Sequence, residues 1–498
     1  MYTLGYDVGS SSVKAALLNL ETGKVEASAF FPKNEMPITA LRAGWAEQDP
    51  NMWWENLKLA TSETLSISHI KPDQIIAIGI SYQMHGLVIV DKNKQALRHS
   101  IIWCDSRAVE IGRKAFDALG AEKCLGSLLN SPGNFTASKL RWVKENEPKL
   151  YDRIDKFMLP GDYIAMRLTG EAATTLSGLS EGILWDFKTD SIASFLLGHY
   201  GIDPRLIPHI VPTFGEQGRL SRPASQELGL PEGIPVSYRA GDQPNNALSL
   251  NVMEPGEIAA TAGTSGVVYG VSDTLKYDHA SRVNSFAHVN HRTDAHRIGV
   301  LLCINGTGIA NSWIRRITGQ QSVEYARLDE AVSKIPAGSG GIIFLPFGNG
   351  AERMLENRDI GAHFLNLQFN LHSQSHLMRA IQEGIAFAFN YGIEIMHGMN
   401  IKPTVVRAGL ANLFLSPIFS ETLAHTAGVS IELYSTDGAQ GAARGAALGV
   451  KYYKSRTEMF NGLQRLKVIE PQNSRTAEYR NLYEHWSSAL NQILQLKG

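Results

Sequence analysis

Cysteine is scarce in this chain. Cys104, Cys124 and Cys303 are the only three, odd in number and far apart, which excludes a disulfide framework and a cysteine-built metal site. Long apolar runs are missing too, since no stretch approaches the roughly 18 uninterrupted apolar residues that span a bilayer. The opening Met1-Tyr2-Thr3-Leu4-Gly5-Tyr6-Asp7 has neither the basic flank nor the apolar core of a signal peptide. Nor does one sign of charge prevail. Lys and Arg total 47 against 48 Asp and Glu, a formal net charge of -1, so nothing favours nucleic acid or an anionic membrane as a bulk partner. These absences predict a soluble, cytoplasmic protein with no nucleic-acid or membrane partner.

What is present is ordinary globular material, 44% hydrophobic and 19% charged, in a chain long enough for about two or three domains with substantial cores. The stretch with the most chemical content is Ser237-Tyr238-Arg239-Ala240-Gly241-Asp242-Gln243-Pro244. The run 234–238 reads as a strand, and 244–250 can begin a helix. Asp242 then sits at a strand-to-helix turn, fixed and reachable. A carboxylate there suits a general base that takes a proton from a substrate hydroxyl. The ordinary alternative is that Asp242 caps the helix.

Towards the N-terminus, 3–6 reads as a strand, Asp7-Val8-Gly9-Ser10-Ser11-Ser12 as a tight polar turn and 13–20 as a second strand. Glycine and serine let main-chain N–H groups approach an anion, and the hydroxyls add donors. Such a hairpin can cradle nucleotide phosphates on Gly9, Ser10 and Ser11 while Asp7 handles the metal ion that travels with them. An unremarked Gly/Ser turn is the competing reading. Asp49-Pro50 supplies a cap and a first helical residue for a helix to about residue 66. Strand 75–81 ends in Tyr82-Gln83-Met84-His85-Gly86, at the kind of strand end where α/β sheets bind ligands. His85 can face a small polar substrate there, or bond within its own loop. Trp103-Cys104-Asp105-Ser106-Arg107 either lines a sugar pocket or forms a structural Asp105–Arg107 ion pair. The proline-dense stretch 202–235 reads as a connecting excursion.

The second half repeats the theme. Strand 256–262, the turn Gly263-Thr264-Ser265-Gly266 and strand 267–271 resemble 7–20, roughly half the chain earlier. Two such hairpins suggest a duplicated domain whose halves face one nucleotide. Gly306-Thr307-Gly308 leads into a helix, and 374–398 is a long core helix by its apolar spacing. Strand 404–407 runs into Ala408-Gly409-Leu410-Ala411-Asn412, a loop that can hold adenine and ribose. Asp437 opens a helix whose Gly441, Gly445 and Gly449 fall along one side, with tight packing the better reading for the last two.

In order along the chain, Asp7-Val8-Gly9-Ser10-Ser11, Gln83-Met84-His85-Gly86, Trp103-x-Asp105-x-Arg107, Gly241-Asp242-Gln243 and Gly263-Thr264-Ser265-Gly266 resemble the FGGY carbohydrate kinases over essentially the whole length. Gln83 to Gly86 and Trp45-Ala46-Glu47-Gln48-Asp49-Pro50 are most similar to members that act on D-xylulose. The resemblance implies an α/β fold of two actin-like, ribonuclease H-like domains around a catalytic cleft. Residues 1–250 would hold the sugar and the base, and 251–498 the nucleotide. It implies ATP and Mg²⁺, a ketopentose such as D-xylulose phosphorylated on its terminal hydroxyl, and a homodimer. Asp242 would be the base and Asp7 the metal ligand. Met84, His85, Trp103 and Gln243 would be on the sugar side, with Gly263, Thr264, Ser265, Gly308, Gly409 and Asn412 on the nucleotide. Three positions depart from the family: Ala408-Gly409-Leu410 stands for its glycine-rich adenosine loop, and Asn134 and Asn366 stand where glycine is usual. Kinases for ribulose, gluconate or glycerol are the alternatives inside the family. An actin-type nucleotide switch would need neither the Gly-Asp-Gln nor the Gln-Met-His-Gly segment, and a catalytically dead sensor would most simply have lost Asp242.

Overall fold

The structure, a computed structural model, describes residues 1–323 and 325–497. The chain forms two compact units. The first comprises Met1–Met253, Phe286–Ile298 and Thr436–Leu463, and the second Glu254–Ser285, Gly299–Ser435 and the chain from Gln464 onward.

In the first unit, strands β1 (Tyr2–Val8), β2 (Val13–Asn19), β3 (Val25–Phe31), β4 (Ile75–Tyr82) and β5 (Val236–Gly241) make one sheet in the order β5-β4-β1-β2-β3. The β1–β2 and β2–β3 pairs are antiparallel, whereas β1, β4 and β5 run parallel. The parallel strands are buried on both faces, which is why they read as near-continuous apolar runs instead of alternating ones. Register then sets the site. Asp7 pairs with Ser81, and Ser81 pairs with Ala240. The three parallel strands therefore end together, and Asp7, Gln83 and Asp242 leave the sheet at one edge.

Helices cover both faces of this sheet. Helix Pro50–Ser68 starts as its sequence predicts, with Asp49 accepting from the Asn51 N–H at 2.9 Å and proline in its first turn. It buries Trp53 and Trp54, and its Thr61 hydroxyl meets the Tyr6 hydroxyl at 2.7 Å. Helix Gly438–Gly449 lies against the other face so closely that a Cβ on Gly79 would fall 2.0 Å from the Ala442 carbonyl oxygen. One on Gly449 would fall 2.0 Å from the Ser237 carbonyl oxygen. Thr3 and Ser237 hydroxyls donate to its Ala443 and Ala446 carbonyls at 2.9 Å each. The excursion 202–235 is more regular than its prolines suggest, holding strand His209–Val211 and helix Arg222–Leu228. Proline sits in that helix's first turn, where its missing N–H costs nothing.

In the second unit, strands β6 (Glu257–Ala262), β7 (Gly266–Ser272), β8 (Ile298–Ile304), β9 (Val405–Gly409), β10 (Ile431–Tyr434) and β11 (Arg465–Ile469) lie in the order β8-β7-β6-β9-β10-β11. β6 and β7 form an antiparallel hairpin, β9 and β10 continue parallel to β6, and β11 is antiparallel. Within this sheet of seven strands, which Asn284–Ala287 extends beyond β8, the arrangement of the first unit recurs: a hairpin, a third strand beyond it on one side and two parallel strands on the other. The duplicated hairpin is thus the visible part of a duplicated sheet. Helix Gln374–Gly398 has the bounds its apolar spacing predicts and buries Ile381, Ile385 and Phe389. Among the described residues, no helix is long and apolar enough to cross a membrane.

Candidate active site

At the shared strand edge of the first unit lies a cavity of about 360 Å³ lined by Asp7, Gly9, Ser10, Ser11, Gln83, Trp103 and Asp242. The turn on one side is closed by the Gly9 N–H donating to the Ser12 carbonyl at 3.0 Å. Gln48 anchors it by donating to the Ser10 carbonyl at 2.7 Å, and Gln83 donates to Gln48 at 3.2 Å. Gln83 Oε1 is left buried and unpaired.

Asp242 is the first residue of helix Asp242–Ser249, and Gly241 takes the cap position without a side-chain bond. The capping alternative therefore does not describe Asp242. Its carboxylate accepts instead from the main chain and side chain of Gln243, which places Gln243 behind it. Burial, and next the charge of Asp7, push the Asp242 carboxyl from its ordinary 3.8 up to about 7. Burial likewise raises Asp7, with Asp437 adding to the shift and the Ser81 hydroxyl, 2.9 Å away, and Lys14 opposing it. Lys14 is the cation in the lining, and its charge is spent on Asp437 at 2.5 Å. Two carboxylates thus share one cavity with little to neutralise them. Among the described residues, no three acidic, His or Cys side chains are placed so that together they could hold a metal ion. That fits a hard divalent cation held by one or two carboxylates and a polyphosphate, not an all-protein cage.

The loop after β4 gives Gln83 to the lining, whereas Met84, His85 and Gln243 lie outside it. His85 has a left-handed backbone, φ 61, and its ring Nδ1 lies 3.0 Å from the Glu181 carbonyl oxygen. The ring sits edge-on to Phe135 at 4.8 Å and tilted to Phe286 at 5.1 Å. Beneath it, buried Lys139 donates to the His85 and Ile102 carbonyls at 2.9 Å each. Burial lowers that ammonium to about 7. Met84 is buried against Gly241. Trp103 is exposed at the mouth, its Nε1 3.4 Å from the Ser10 hydroxyl.

Asp105 and Arg107 turn away from the cavity. They form a buried ion pair at 2.7 Å, with Asp105 also accepting from the Ala46 N–H at 2.6 Å and Arg107 stacked 3.8 Å over the Trp45 ring. The structural alternative holds for that pair, and the segment around Trp45 braces it. Asn134 donates to the Asp105 carbonyl. Asn366 adopts φ 61, a left-handed conformation that asparagine tolerates best after glycine.

A separate cavity of about 410 Å³ in the second unit is lined by Gly263, Thr264, Gly308, Asn412, Asp329 and Gln382, among others. The Gly308 and Ile309 N–H groups donate to the Gly263 and Thr264 carbonyls at 2.9 and 3.1 Å, locking the helix start onto the turn. Ser265 is exposed on that turn and Gly409 ends β9; neither is in the lining. Asp329 and Gln382 were missed in the sequence, as were Phe135, Glu181 and Phe286. No motif marks them, because each joins its site through a fold contact and not a neighbour in the chain.

Residues 2–249 match the N-terminal domain, and 258–449 the C-terminal domain, of the FGGY family of carbohydrate kinases. The xylulose kinase of Klebsiella pneumoniae is 30% identical over 96% of this chain and 96% of its own length. This chain belongs to the FGGY family. It is an ATP-dependent sugar phosphotransferase, as the order of its motifs predicts, and its two sheet-based units are the family's actin-like pair. The solved xylulose kinase of Rhodospirillum rubrum, 24% identical, superposes with a TM-score of 0.89 over 100% of this chain and 99% of that one. The gluconate kinase of Lactobacillus acidophilus, 22% identical, superposes with the same TM-score, 0.89, over 100% and 99%. Kinases for different sugars thus share this FGGY fold equally well, so the backbone does not choose the sugar.

Proposed function

We propose that this FGGY kinase transfers the γ-phosphoryl group of ATP to the terminal hydroxyl of D-xylulose, giving D-xylulose 5-phosphate. The observation that carries the chemistry is the Asp242 carboxyl, raised to about 7 in a cavity it shares with Asp7 and the Gly9–Ser11 turn. A base poised near neutral pH is strong enough to accept a hydroxyl proton and still keeps a substantial ionised fraction there. Phosphoryl transfer asks little else of the protein beyond positioning and charge stabilisation. Asp242 takes the proton as the sugar oxygen attacks. Main-chain N–H groups of the turn at Gly9 are suited to phosphate oxygens, and in the second unit the cavity at Gly263, Gly308 and Asn412 is suited to the nucleotide. Asp7 would hold Mg²⁺, which supplies the positive charge that the ATP phosphates otherwise lack. The sugar assignment rests on the relatives at 28–30% identity over nearly the whole chain.

The test is ADP release from Mg-ATP with D-xylulose, L- and D-ribulose, glycerol and gluconate offered separately. Strong turnover with D-xylulose alone is expected. Turnover with another sugar would keep the kinase and reject the substrate.

His85→Ala is expected to raise the KM for the sugar by about tenfold or more, the usual loss when a buried polar partner disappears, with the KM for ATP unchanged. Steady-state kinetics with each substrate varied in turn separates the two. An effect on ATP alone would remove His85 from the sugar site.

A further inference from the structure

Glu181 is a fully buried acid that the chemistry above does not use. It is the last residue of the short helix Leu176–Glu181, 1% exposed, and it lies directly beneath the cavity edge. A Cβ on Gly241 would fall 2.3 Å from Glu181 Oε2, so only glycine before Asp242 leaves room for this carboxyl. Its other oxygen, Oε1, and the Tyr82 hydroxyl are both buried without a well-formed partner and lie against each other. Burial is the largest cause holding its carboxyl well above the usual range, with the acids Asp242 and Asp162 adding to the shift.

Glu181 grips His85 twice. Its carbonyl oxygen is 3.0 Å from His85 Nδ1, and its carboxyl accepts from the His85 main-chain N–H. A carbonyl oxygen can only accept, so Nδ1 must carry the proton. In the neutral ring Nε2 is then the acceptor. With Lys139 on the His85 carbonyl, the main chain is held at both N–H and C=O in a left-handed conformation that costs a histidine energy unless its surroundings impose it.

We infer that Glu181 is a positioning residue for the sugar: through its carboxyl and carbonyl it holds the His85 loop in its strained shape and fixes the ring so that Nε2 accepts a hydrogen bond from a sugar hydroxyl. The inference rests on the reading of His85 as a sugar contact.

Three variants of the full chain test it. Glu181→Gln keeps an acceptor for the His85 N–H in a neutral group of the same size, and its sugar KM should stay within about threefold of the parent. Glu181→Ala keeps the carbonyl but removes the carboxyl that holds the His85 N–H, and should raise the sugar KM about tenfold or more with the KM for ATP unchanged. Glu181→Asp draws the carboxyl back by one methylene and should behave like alanine, so it decides the matter if the alanine variant does not fold. Nitrogen NMR of the labelled histidines gives a readout independent of turnover: the Nδ1–H form of His85 should dominate in the parent and the glutamine variant and lose its dominance in the aspartate variant. Alanine and aspartate variants with parental sugar KM and an unchanged tautomer would overturn the inference. So would a glutamine variant as impaired as alanine. A parent chain that fails to turn over D-xylulose would instead sink the functional reading, while the NMR result still decides what Glu181 does.

Discussion

Asp242→Asn should lower kcat by ~10²–10⁴, the usual contribution of a general base, while calorimetry still shows the sugar binding. The same substitution should make the metal-free protein more stable at alkaline pH. The reason is the sign of the Asp242 shift, from its ordinary 3.8 up to about 7, caused first by burial and then by the charge of Asp7. A carboxyl whose pKa is higher in the folded chain binds its proton more tightly there. The folded state therefore loses stability, relative to the unfolded, as pH climbs from about 4 to about 7, and the loss is complete above that. Asparagine is neutral throughout and avoids it. Thermal melts with chelator present should show the variant's advantage growing across that window and levelling off beyond it. Activity should move the other way in the parent, with kcat/KM falling below about pH 7 with unit slope as Asp242 takes up its proton. Near-parental turnover in the asparagine variant would remove Asp242 from the role. A variant less stable than the parent at pH 8 would show that its buried charge is compensated.

Gly438→Ala should be nearly as damaging, although the residue bears no functional group. It opens the helix Gly438–Gly449, and a Cβ there would fall 2.2 Å from Asp7 Oδ2 and 2.6 Å from its Cγ. The Asp7 carboxylate is held in place by the Ser81 hydroxyl at 2.9 Å, so a methyl must either displace it or unwind the first helical turn. A displacement of about 1 Å at a reacting site can cost ~10²-fold in rate, and a loss of that order in kcat/KM is expected. The damage should fall on the metal. Raising Mg²⁺ should recover part of the activity of Gly438→Ala and none of that of Asp242→Asn, and sugar binding should be normal in both. A parental magnesium dependence in Gly438→Ala would separate Asp7 from the metal.

These two substitutions differ in how far the sequence announces them. Asp242 stands beside a glycine at the end of an apolar run, a pattern that signals a strand-to-helix turn by itself. Gly438 follows Asp437, which reads as a helix cap and is one, accepting from the Gln440 N–H at 3.0 Å. Nothing near Gly438 in the chain shows that Asp7 will lie against it. The Trp103–Arg107 segment illustrates an intermediate case. Its residue types fit a sugar pocket and a buried ion pair equally, and the choice depends on Trp45 and Ala46, which reach it only through the fold. His85 was legible as a loop residue after a strand. Its tautomer was not, because that depends on a carbonyl ninety-six positions away.

The hairpins, the helix starts, the long helix Gln374–Gly398 and the candidate carboxylates are all legible in the residues themselves. Turn, cap and periodicity preferences act over a few neighbouring residues, so they can be read in order along the chain. Which of those residues meet depends on long-range pairing and packing. Parallel pairing of β1, β4 and β5 brings Asp7, Ser81 and Ala240 into line whatever their separation. Burial then turns an ordinary aspartate into a base poised near neutral pH and raises the Glu181 carboxyl well above its ordinary range, because a charge taken from water must either find a partner or give way.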